Sequence, residues 1–208
     1  MADSSVLLAF FSTSLILALS PGPDNLFVMA QSVQNGRLAG LYVTLGLATG
    51  LIGHTIAVAL GLAAIVHSSS VAFNIVTYSG AAYLLFLAWK SLKAAASNVQ
   101  DGQVQVLSKG KLYRRGIVMN VTNPKVSVFF MAFLPQFADP RHGSMMVQFL
   151  LLGLLFIAAT LLVFGSISLF AGGFSDRFRN SALVQKTVNR IAAMVFIGLS
   201  VKLALSER

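Results

Sequence analysis

The chain has 208 residues and a formal net charge of +9, yet only 10% of its residues are charged and 56% are hydrophobic. Soluble domains carry about 25% charged residues, and a mean hydropathy of +0.80 excludes a water-facing globule. There is no cysteine, which removes disulfides, thiol redox chemistry and cysteine-based metal sites together.

The N-terminus has an acid, Asp3, and no Lys or Arg before the first apolar run. A secretory signal wants a basic start, so this run is expected to stay as a span. It covers residues 4–34 and contains LSPGPDN at 19–25. Pro21, Gly22 and Pro23 should unwind a turn there, because proline lacks an N–H and clashes with the carbonyl four residues back. Asp24 is an acid at that break. Ser20 and Asn25 add polar groups beside it. Capping the following helix would be the plainest role for Asp24.

The next runs are 39–65 and 71–89. Residues 38–89 hold no Asp, Glu, Lys or Arg, a length that fits two membrane crossings of roughly 20 residues each. Gly46 and Gly50 mark a close helix contact. His54 lies mid-run. It is a packing histidine or, with Asp24, a candidate for proton coupling. His67 falls near a span end. Residues 90–115 form the longest polar segment and carry six basic residues. Trp89 and Tyr113 at its edges suit an interfacial aromatic belt.

Three more apolar runs follow, at 116–137, 145–174 and 188–205. The first contains Asn123-Pro124-Lys125, a second break with a charge beside it. An intramembrane charge costs about 2.5–3.5 kcal/mol at mid-span and rarely faces lipid, although a shallow lysine can snorkel. Asn74, Asn120 and Gln148 are expected to hydrogen-bond between helices. His142 is expected near water.

Six runs give an all-α integral membrane protein of six helices. Arg37, the six basic residues of 90–115, and Arg177, Arg179, Lys186 and Arg190 lie on one side. Arg141, Lys202 and Arg208 lie on the other. The richer side is cytoplasmic, which places both termini in the periplasm of a bacterial inner membrane, multi-pass. The basic residues lie between apolar runs, which suits anionic lipid rather than nucleic acid.

The halves echo one another: residues 1–89 and 116–208, joined by the basic loop 90–115. Pro23 and Pro124 each open a break in the first run of a half. GAAYLLFLAWKSL at 80–92 resembles IAAMVFIGLSVKL at 191–203. Three spans per half make the halves inverted repeats, with helices 1 and 4 interrupted, as in secondary transporters. Ser20, Pro21, Gly22, Pro23, Asp24, Asn25, Asn123, Pro124 and Lys125 are then the candidate translocation site. Lys125 would face a substrate carboxylate and Asp24 its ammonium.

SPGPDN in the first run, NPK in the fourth, SGAAYLLFLAWKSL closing the third and FLPQF at 133–137 resemble the LysE/RhtB amino-acid exporters over nearly the whole chain. The resemblance implies proton-driven efflux of an amino acid or close derivative along a path lined by Pro21, Pro23, Asp24, Asn123, Pro124 and Lys125. Some members carry an acid in the fifth span. Its absence from 145–174 disfavours a dibasic substrate. No cofactor is expected. A divalent-cation exporter would need clustered Asp, Glu, His or Cys, and an intramembrane enzyme would need more than Ser20 and His54. A homodimer is one way for so small a bundle to enclose a cavity.

Overall fold

The computed structural model describes residues 3–20, 22–62, 70–93, 107–180 and 182–205. These are helical and joined by short turns. Pro21, His67 and residues 94–106 of the 90–115 loop lie outside the described residues.

Helix α1 (Ser4–Leu19) is apolar on every side, as a helix surrounded by hydrocarbon and protein must be. It stops at Ser20. Helix α2 (Pro23–Asn35) begins with proline at its first helical position, where the missing N–H costs nothing. The two axes meet at 62°. Gly36, with φ of 85°, ends α2; this left-handed conformation favours glycine. It turns the chain into α3 (Arg37–Ala57), which runs on through wider turns to Leu62. Helix α4 is Ser70–Lys93.

A second bent pair follows. Helix α5 (Lys109–Val121) ends at Thr122, and α6 (Pro124–Val128) again starts on a proline. Its cap is Asn123, whose side chain accepts from the Lys125 backbone N–H at 3.0 Å. Wide and then tight turns continue through Phe133 to Phe137. The bend between α5 and the segment beginning at Pro124 is 48°. Helices α7 (Met145–Asn180) and α8 (Ala182–Ala204) complete the described chain.

Among the described residues, Arg37–Gly61 and Met145–Phe170 are each long and apolar enough to cross a membrane. The two bent pairs reach that standard as pairs. Large apolar side chains such as Leu60, Val71, Leu154 and Phe170 stand exposed around the outside. A water-soluble monomer does not tolerate so much exposed apolar surface.

Helix α3 packs on α5, and α7 packs on α1 and α2. Helix α3 also packs on α7, and α4 on α8. The α3–α5 contact is close. A methyl on Gly46 would overlap the Tyr113 carbonyl, and one on Gly116 would overlap the Val43 carbonyl. Gly50 faces Asn120 in the same seam. The Gly46–Gly50 pair is thus a packing motif. Across the other pair, Ser200 Oγ donates to the Ala81 carbonyl at 2.9 Å.

One end of the bundle is aromatic and dry. Phe10, Phe129, Phe133, Phe137 and Phe156 are buried together, with ring centroids 5.0–5.8 Å apart in successive contacts. Lys202 lies over the Phe137 ring at 4.1 Å. At the other end Arg115 lies over Phe27 at 4.6 Å and Lys109 over Tyr42 at 5.7 Å. Residues 109–115 are therefore helical rather than loop. The charged groups of Lys109 and Arg115 lie over aromatic rings, as cation–π contacts do. Helices α7 and α8 likewise run past the apolar runs that announce them, to Asn180 and from Ala182.

Gln148 does not link helices. Its amide donates to the Asp139 carbonyl at 2.8 Å and the Gly143 carbonyl at 3.2 Å, and its oxygen accepts from the Asp139 N–H. It ties down the turn at 138–144, whose unpaired main-chain groups need a partner. Asn74 is exposed.

Candidate functional site

The two breaks meet. Asn123 Nδ2 donates to Asp24 Oδ2 at 2.6 Å. Lys125 Nζ donates to the carbonyls of Ser20 at 3.1 Å and Leu17 at 3.3 Å. Asn25 Nδ2 donates to the Ala18 carbonyl at 2.8 Å. Ser20, Asp24, Asn123 and Lys125 are all buried, at 3, 3, 6 and 8% exposure. A lysine this deeply covered is not snorkelling.

Helix-end electrostatics explain the arrangement. A helix leaves its last carbonyls unbonded and carries partial negative charge there. Lys125 supplies a cation to the end of α1. It does so from the first turn of α6, where its own helix disfavours a cation, so the contact across the halves fixes its direction. Asp24 sits in the first turn of α2, where unbonded N–H groups favour an anion. The cap position itself belongs to Gly22, with an extended φ of −170°. Asp24 and Lys125 form no direct ion pair. Asn123 stands between them, giving its amide N–H to one and its amide oxygen to the backbone of the other.

Several groups at the breaks keep unused bonding capacity. Among the described residues Ser20 Oγ, Asp24 Oδ1 and Asn25 Oδ1 are buried without a hydrogen-bond partner. An ammonium has three N–H donors, and Lys125 spends two on main-chain carbonyls. A methyl on Gly22 would lie 3.3 Å from Lys125 Nζ. Glycine here keeps the approach to that ammonium open.

His54 reaches the second break from α3. The Asn120 carbonyl accepts from His54 Nε2 at 3.3 Å and from the Asn123 backbone N–H at 3.0 Å. The ring also lies 5.6 Å from that of Phe130. Asn120 Oδ1, buried against Gly50, has no partner.

A cavity of about 660 Å³ adjoins the first break. Ser20 and Asn25 form part of its wall. Most of the rest is apolar, from Leu15 and Leu19 of α1, Met29 of α2, Val163 and Ile167 of α7 and Ala192 of α8.

The structure therefore gathers Ser20, Gly22, Asp24, Asn25, Asn123 and Lys125 in one place, with Pro23 and Pro124 opening the half-helices. His54 adjoins through Asn120. Pro21 lies outside the described residues. The Leu17, Ala18 and Ser20 carbonyls were not foreseeable as partners, because a main-chain group carries no residue-type signal. Asn120, one turn before Asn123, was visible only as a generic polar residue.

The family model of the LysE type translocators matches residues 15–207. The homoserine/homoserine lactone efflux protein of Salmonella typhi is 36% identical over 155 residues, 74% of this chain and 75% of its own. A membrane protein of Vibrio cholerae of undescribed function is 31% identical over 206 residues, 99% of both chains. The Bacillus subtilis membrane protein YrhP is 28% identical over 209 residues, 96% of this chain and 99% of its own. No solved structure matches. The chain is a member of the LysE family of translocators.

Proposed function

We propose that this translocator exports a neutral amino acid or a close derivative from the cytoplasm in exchange for protons, and that the paired breaks are its substrate site. The observation that carries the reading is the junction of two interrupted helices, one from each half, bridged by Asp24, Asn123 and Lys125. Interrupted helices at corresponding places in two halves mark transport sites. The unpartnered acceptors at Ser20, Asp24 and Asn25 match a substrate ammonium. The remaining N–H of Lys125 suits a carboxylate. The Salmonella relative's name points to efflux of a small amino acid and its lactone.

The same reading counts six spans as two inverted repeats. Helices α4 and α8 have 24 and 23 residues, roughly 35 Å each at 1.5 Å per residue, long enough for the third and sixth. The reciprocal pairing of α3 with α5 and of α7 with α1 and α2 supports the repeat. The basic end near Arg37, Lys109 and Arg115 faces the cytoplasm and its anionic lipids. Asp24 and His54 are the proton-coupling groups, Asp24 within the bridge and His54 on the carbonyl that also holds Asn123.

Counterflow of labelled amino acids in proteoliposomes tests the reading. Exchange of a neutral amino acid that is lost in Asp24→Ala and Lys125→Ala, both still inserted, is expected. Absence of amino-acid exchange by the intact protein would end it.

A further inference from the structure

We infer that the substrate's side chain lies in the cavity beside the first break, so that the exported amino acid has a branched aliphatic or aromatic side chain. This rests on the breaks being the substrate site. The volume of about 660 Å³ falls within the 300–1,000 Å³ of small-molecule sites. Among the described residues no Asp, Glu, Lys, Arg or His lines it, so a dibasic side chain would find no counter-charge there.

Its polar groups are confined. Ser20 and Asn25 belong to the break, and among the described residues Ser166 is the one further hydroxyl in the wall. Ser20 Oγ and Asn25 Oδ1 both lack partners. An ammonium placed at the break would satisfy acceptors there and direct the side chain between Met29, Val163, Ile167 and Ala192. A hydroxylated side chain in that space would surrender its water bonds for almost nothing. An aliphatic one would bury apolar surface. The same wall that rejects polarity thus selects for bulk.

The test is counterflow of labelled leucine by the full-length protein in proteoliposomes, competed by isoleucine, phenylalanine, threonine, homoserine and lysine. The apolar competitors should be stronger by about tenfold or more, the range one missing or added group commands in an apolar pocket. Ala192→Phe narrows the cavity and should lower the leucine-to-alanine exchange ratio about tenfold. Should that variant fail to insert, Ile167→Ala widens the cavity and should raise phenylalanine relative to leucine about fivefold. Threonine or lysine outcompeting leucine, in a protein whose exchange is still lost in Lys125→Ala, would overturn the inference and spare the site. Ratios unchanged in the inserted cavity variants would place the side chain outside the cavity and overturn it too. Loss of all amino-acid exchange in the intact protein would instead remove the transport reading beneath it.

Discussion

Asn123 holds the site together at the level of single residues. Its amide spans the carboxylate of one half and the backbone of the other. Asn123→Ala should leave Asp24 Oδ2 without that donor, at about 1–3 kcal/mol for a buried polar group left unpaired. The variant should melt at lower temperature in detergent and lose exchange. Lys125→Met should be as costly, since two α1 carbonyls lose their donor. The double change Asp24→Asn with Lys125→Met should insert no worse than either single one, because no lone charge is left to desolvate. Coupling is read separately. Moving one charge across 100 mV is worth about 2.3 kcal/mol, roughly a 50-fold gradient. Asp24→Asn is expected to keep exchange of labelled for unlabelled amino acid while losing uphill export and its pH dependence. Wild-type uphill export would shift that role to His54.

At the level of elements, each break is followed by a proline-started half-helix, and Lys125 of the second covers the carbonyls that end α1. Replacing Pro21 and Pro23 with Ala should permit a continuous helix, closing off the Leu17 and Ser20 carbonyls that hold Lys125. Insertion should survive and export should fall. Normal export at normal expression would make the break purely structural. The α3–α5 seam answers to size: Gly46→Leu should force the helices apart at about 1–3 kcal/mol or more, seen as a drop in melting temperature that Gly53→Leu, which meets nothing, does not share. The turn at 138–144 behaves differently. Hydrogen bonds from Arg141 hold the Asp139 carboxyl down at about 2. A lowered carboxylate stabilises above its unfolded value near 4 and is lost only as pH falls toward 2. Any pH dependence of export between 5 and 8 should therefore persist in Asp139→Asn.

At the scale of the whole molecule, the charge distribution predicts an orientation. Eleven basic residues against three across the loops predict that a reporter after Arg208 reads periplasmic and one within residues 97–110 reads cytoplasmic. A cytoplasmic C-terminus would break either the six-span count or the inversion of the halves.

The sequence by itself determined what depends on composition and local chemistry. Apolar runs, basic ends, and the breaks at Gly22-Pro23 and Asn123-Pro124 are properties of a few adjacent residues, and they survive any arrangement of the helices. Helix limits were less legible, because Lys, Arg and Gln extend α5 and α8 into water without an apolar signal. Only the tertiary structure decided how the charges are used. Asp24 and Lys125 read as two charges facing the ends of one zwitterion. Folding adds Asn123 between them and gives Lys125 the carbonyls of Leu17 and Ser20. Those partners are main-chain groups, alike at every residue, and only the bend that exposes them and the packing that brings α6 to α1 single them out. The apolar cavity has the same origin: its walls come from four helices spread over most of the chain, and no local pattern records that they face one another.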